Sequence, residues 1–135
     1  MSETHEFLHP QHWKKPKGFA NGIAAEGRLV FLAGQIGWNA EQTFDSTDFV
    51  AQARQALANI VALVAEAGGK PEHITRLTWF VTDKNDYLSR LSELGQAYRA
   101  VMGKHFPTMT LVQVVALVED LAKVEIEATA VVPHR

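Results

Sequence analysis

The chain contains no cysteine. That absence removes disulfides, thiolate zinc sites, iron–sulfur clusters and thiol nucleophiles together, and it suits a reducing, cytoplasmic setting. A surplus of one charge is missing too: 13 Lys and Arg stand against 15 Asp and Glu, a formal charge of −2. Without a basic field to neutralise phosphates, nucleic acid is not an expected partner. Long hydrophobic runs are also absent. The longest clean apolar stretch, Ile60–Ala65, falls far short of the ~20 residues of a membrane span. The first residues, Met1 to Glu6, are polar and acidic where a signal peptide would be basic and then apolar. No membrane association is expected. Phosphate loops, nucleotide fingerprints and internal repeats are lacking as well.

What is present, 135 residues with 47% hydrophobic and 21% charged, fits one globular domain. Residues 1–17 hold three His, two Pro and three Lys without an apolar period, so they read as an N-terminal leader, with order beginning near Gly18 and a single domain over 18–135. His5, His9 and His12 have metal-like spacing, but His9 precedes Pro10 and no helix aligns the rings, so no metal site is assigned. Leu29–Ala33 is an apolar run between Gly27 and Gly34, and the segment Phe19–Ala25 is expected to pair with it through a turn at Glu26 and Gly27.

From Thr47 the period changes. Val50, Ala53, Leu57, Ile60, Val61 and Val64 fall on one helical face, and Gln52, Arg54, Gln55 and Asn59 are expected off it. Gly68, Gly69 and Pro71 stop this helix. Ile74–Val81 has apolar groups on both parities, as a strand buried on both faces would. Asp83, Asn85 or Asp86 caps a second helix with the stripe Tyr87, Leu91, Leu94, Tyr98 and Val101 or Met102, ending at Gly103. Met109–Leu117 and Lys123–Val132 read as two strands about a turn at Glu119 and Asp120. The order β-β-α-β-α-β-β predicts an α/β two-layer sandwich, both helices on one face of a mixed sheet.

In the last strand Val124, Ile126, Ala128 and Ala130 should lie under the helices, with Lys123, Glu125, Glu127 and Thr129 on the other face. A hairpin symmetric about Glu119 would add Met109, Leu111 and Gln113 to the Glu125 face. Such a face is too apolar to be left wet and too polar for a core, so another subunit is expected to cover it.

Several stretches together resemble the RidA (YjgF/YER057c-like) family in the right order: Gly18–Ile23, Leu29–Gly37 (LVFLAGQIG), Ala51–Ile60, Leu77–Asp83 and Val124–Val131. The resemblance implies a chorismate-mutase-like fold, a homotrimer around a β-barrel, and small-molecule clefts between subunits. It implies hydrolysis of reactive 2-imino and 2-enamino acids to 2-oxo acids and ammonia, with no cofactor. Glu125 matches the family position associated with the attacking water. Phe19 stands where the deaminases usually have Tyr, and Gln35 and Gly37 fall in the matching loop, with Trp38 just beyond as a candidate cleft wall.

One departure stands out. The family's deaminases carry an Arg at the position of Met109, and a thioether cannot make the charge-assisted bidentate bonds an Arg gives a carboxylate. The family's Asn in the second helix is replaced by Gly95. The sequence therefore resembles an Arg-less branch. The expected site is Glu125 as catalytic group, with Phe19, Gln35, Gly37, Trp38, Met109, Leu111 and Gln113 in substrate binding. Its substrate either lacks the usual carboxylate or meets another cation, such as Lys17, Arg28 or Arg99. The alternative is a non-catalytic trimer that binds a small metabolite. An RNA-directed activity, sometimes attributed to the family, is disfavoured by the charge balance.

Overall fold

The computed structural model describes residues 5–135; the first four residues of the expected leader lie outside the described residues. Four strands form the main sheet: β3 (Arg28–Ile36), β4 (Ile74–Val81), β5 (Thr108–Gln113) and β6 (Val124–Val132). They lie in the order β3-β6-β4-β5. β4 and β5 run parallel, and the other two pairings are antiparallel. α1 (Phe49–Glu66) and α3 (Leu91–Met102) pack on each other and cover one face, with the short α2 (Lys84–Leu88) leading into α3. This is the expected two-layer sandwich on a mixed sheet.

The core sits between α1, α3 and one face of the sheet. Val124, Ile126, Ala128 and Ala130 of β6 and Leu77, Trp79 and Val81 of β4 are buried there against Phe49, Ala53, Leu57 and Ile60 of α1. The Asp48 carboxylate starts α1 by accepting from the Ala51 N–H at 3.0 Å. Gly68, at φ 80°, carries the chain out of it. Gln52 does not lie off the buried face as expected but is 1% exposed. It stands three residues after Phe49 and four before Ala56, so the helical period places it inside, and its amide is satisfied there. Nε2 donates to the Ser46 and Leu121 carbonyls at 3.1 and 2.9 Å, and Oε1 accepts from the Lys123 N–H at 2.8 Å.

Both expected hairpins are corrected. β2 (Gly22–Ala25) pairs not with β3 but with β1 (His5–Leu8), a strand formed ahead of Gly18, where order was expected to begin. His5 anchors it, buried with Nε2 on the Val131 carbonyl at 3.1 Å. β5 and β6 are not neighbours, because β4 lies between them. In parallel register Met109 stands beside Leu77 and Leu111 beside Trp79, so both share the helix face instead of the Glu125 face. The second helix, expected as one, breaks at Ser89 and Arg90. Arg90 leaves the helical φ, and its guanidinium ties Asp48 (2.5 Å) to Glu93 (2.8 Å).

Candidate functional site

Because β5 is the last strand of the sheet and α3 does not reach across it, a cleft of about 440 Å³ opens between them. The segment before β2 closes one side. The Ala20 N–H donates to the Pro107 carbonyl at 3.0 Å and Ala20 bridges Thr108, which holds Phe19 over the start of β5. Met109 and Leu111 form the sheet wall, and Tyr87, Leu91 and Tyr98 the helix wall. Tyr98 stacks on Phe106 with ring centroids 5.2 Å apart, and its Oη donates to the His105 carbonyl at 2.7 Å. Burial pushes the Tyr98 phenol above its ordinary pKa, so it serves as a donor and not as a base. His105 Nε2 meets the Ile74 carbonyl at 2.7 Å, and burial lowers the pKa of that ring. It is a satisfied loop histidine that fixes the floor of the turn after α3.

Glu125 is on the other face of the sheet. It stands in register with Ile36 of β3 and Phe80 of β4. An irregularity between Leu32 and Gln35 sets Gly34 beneath it; a Cβ at Gly34 would lie 2.8 Å from the Glu125 Cδ and overlap its carboxylate. Only glycine leaves room for that carboxylate. Glu125 is half-buried, and among the described residues it enters no ion pair, those being confined to Arg90. Farther along the same face, beyond the exposed Glu127, Phe31 and Leu29 stand in register with Thr129 and Val131 and are 75% and 64% exposed.

The expected site residues therefore divide. Phe19, Met109 and Leu111 line the helix-side cleft, and Glu125 faces away from it. Gln35 folds back, its Nε2 donating to the Ala33 carbonyl at 3.0 Å. Gly37 is buried where β3 meets α1, with room for no more than hydrogen, since a Cβ would lie 2.5 Å from the Gln52 Cβ. Trp38 packs on Phe44 at 6.0 Å, and its carbonyl accepts from Asn59 at 2.9 Å. Gln113 is no partner of Glu125; its Oε1 accepts from the Lys84 N–H at 2.8 Å, at the start of α2. Of the three cations named from the sequence, Lys17 and Arg99 line the cleft. Arg28 instead donates to the Ala67 carbonyl at the end of α1. His9 binds the Trp13 carbonyl at 3.0 Å, remote in role from the buried His5. Tyr87, Leu91 and Phe106 are cleft residues that sequence reasoning missed; Tyr87 and Leu91 belong to a helical stripe that read as core, and Phe106 follows the helix. Their signal was the glycine at 95, four residues after Leu91 and four before Arg99, a gap in an otherwise filled face.

Residues 14–132 match the family model described as endoribonuclease L-PSP, the family to which YjgF and RidA belong. The chain belongs to that family. It is 38% identical over 108 residues to the 2-iminobutanoate/2-iminopropanoate deaminase of Escherichia coli K12, a match covering 78% of this chain and 80% of that protein. It is 36% identical to a RutC family protein of Pasteurella multocida over 105 residues, 78% of this chain and 81% of that one. Among solved structures, a Rid family protein of unknown function from Yersinia pestis superposes with a TM-score of 0.85 at 27% identity, covering 96% of this chain and all of the other. The YjgF protein of E. coli gives 0.66 at 35% identity, covering 84% and 87%. Among the described residues no helix is long and apolar enough to cross a membrane.

Proposed function

We propose that this RidA-family protein hydrolyses a reactive imine or enamine metabolite and releases ammonia. The work is done in a cleft shared between copies of a homotrimer, on a substrate that differs from the usual small 2-imino acids. The observation that carries the reading is Glu125: a carboxylate at the family's water position, in no ion pair among the described residues and held over the bare backbone of Gly34. Within one chain it lies across the sheet from the cleft, so the two halves come together only when one copy sets its Glu125 face against the next copy's cleft. The exposed Leu29 and Phe31 on that face supply the apolar area such an assembly would bury.

The chemistry follows from those parts. Glu125 takes a proton from water as the water oxygen bonds to the C=N carbon and the π pair moves to nitrogen. Glu125 returns that proton to nitrogen, which completes the carbinolamine; it then takes the hydroxyl proton and passes it to the amine, so that the C=O forms as the C–N bond breaks and ammonia leaves. The reaction consumes one water and needs no metal or organic cofactor. The cytoplasm, expected for a cysteine-free chain, is where amino-acid metabolism generates such imines.

The test generates imines in situ with an amino-acid oxidase and traps the unhydrolysed fraction with semicarbazide. Wild-type protein should lower semicarbazone yield for at least one imine, and Glu125→Gln, which keeps shape and removes the base, should not. Met109 favours a second reading, a trimer that binds a metabolite without turning it over. Ligand binding with no acceleration of any imine by wild-type protein would select that reading.

A further inference from the structure

We propose that Arg99, laid back over Gly95, is the carboxylate anchor of the cleft, and that the acid it holds is a 2-imino or 2-oxo acid with a bulky apolar side chain. This rests on the cleft being the substrate half of the site just described, and names what binds there.

Met109 leaves the edge strand without a donor for a carboxylate. On α3, side chains lean toward the helix N-terminus, so Arg99 covers the turn that contains Gly95. A Cβ at Gly95 would sit 3.3 Å from Arg99 Nη1 and 3.9 Å from Cζ; the guanidinium rests against bare helix backbone. Glycine in a helix interior costs stability relative to alanine, and here it gives the guanidinium its seat. Arg90 and Arg28 do not line the cleft and are engaged elsewhere: Arg90 binds Asp48 and Glu93, and Arg28 binds the Ala67 carbonyl. Among the described residues Arg99 enters no ion pair or side-chain hydrogen bond, so its fork of donors is open to a planar carboxylate. Lys17 also lines the cleft, and among the described residues no Asp or Glu does. The charged part of the lining is thus cationic.

The interior is apolar, walled by Trp79, Leu94, Tyr98, Phe106, Met109 and Leu111. A volume of about 440 Å³ lies in the ~300–1,000 Å³ range of sites for drug-sized ligands, more than a three- or four-carbon acid fills. An anionic head at Arg99 with an aromatic or branched body inside matches both features.

Calorimetric titration of wild type, Arg99→Gln and Arg99→Lys with phenylpyruvate, pyruvate and the uncharged phenylacetone tests this. Wild type should bind phenylpyruvate at least tenfold more tightly than pyruvate. Arg99→Gln should lose roughly ten- to a hundredfold in phenylpyruvate affinity while holding phenylacetone as wild type does, and Arg99→Lys should recover part of the loss. Undiminished phenylpyruvate binding by Arg99→Gln, a parallel loss of phenylacetone, or no phenylpyruvate binding by wild type would each overturn the assignment. Binding is read without turnover, so a failure of imine hydrolysis sinks the deaminase reading alone and leaves the anchor standing.

Discussion

Replacing Gln52 with alanine should cost about 3–4 kcal/mol, a large part of the ~5–15 kcal/mol that holds a domain folded. The side chain is 1% exposed and satisfies three backbone groups, the Ser46 and Leu121 carbonyls and the Lys123 N–H. Leaving each short of its partner costs about 1 kcal/mol at the low end for partly buried groups, and the void adds up to about 1 more. At roughly 4 °C per kcal/mol for a chain of this size, the melting temperature should fall by about 12–16 °C. Two companions separate the causes. Gln52→Leu refills the space but restores no bond and should still lose about 3 kcal/mol. Gln55→Ala loses only a bond to the Asn59 side chain and should lose less than about 1 kcal/mol. Urea and thermal unfolding at one fixed protein concentration give all three values, the concentration being held because assembly shifts apparent stability. A loss below about 1 kcal/mol for Gln52→Ala, or recovery by Gln52→Leu, would refute the claim that these bonds pin the 114–123 segment and hence the entry to β6.

Gly34→Ala should keep the fold but push the Glu125 carboxylate aside, lowering imine turnover by roughly a hundredfold; unchanged turnover would separate Glu125 from the chemistry. Phe31→Glu places a charge on the open sheet face and should turn a trimer into a monomer in sedimentation velocity, whereas a wild-type monomer at micromolar concentration would remove the need for any cover. Burial holds the His73 and His105 pKa values below the ordinary 6.5, so the unfolded chain takes up protons that the folded one refuses. Their contribution to stability is complete above about pH 6.5 and is lost as the pH falls below it. The melting temperature should therefore decline on acidification in that window, and a flat profile would contradict the burial of these rings.

The helices were the most legible part of the sequence, because a 3.6-residue period reports a buried face locally. Phe49, Ala53, Leu57, Ile60 and Val64 are buried as a set, and the alternation of β6 likewise gave its inner face. Gln52 shows the limit: its position obeyed the period, and its polarity alone suggested the surface. Strand order was not legible, because nothing local in Met109–Gln113 says whether β4 or β6 will be its neighbour. The parallel pairing with β4 then turned Met109 and Leu111 to the helix side. For the site, family resemblance marked Glu125 and Met109 as positions of interest. It could not show that they lie on opposite faces of one chain, nor that Gly95 and Arg99, four residues apart on α3, act on each other.

A site built from two copies makes a demand that a site within one chain does not. Glu125→Gln lacks the base, and Gly95→Trp fills the cleft, so each should be inactive alone in imine hydrolysis. If chains of both kinds are unfolded together and refolded as mixed trimers, an intact Glu125 face meets an intact cleft at about one interface in four for random mixing in a closed ring. The mixed sample should then regain about a quarter of wild-type turnover by the semicarbazide assay. A mixture no more active than its two parents would contradict a site shared between subunits.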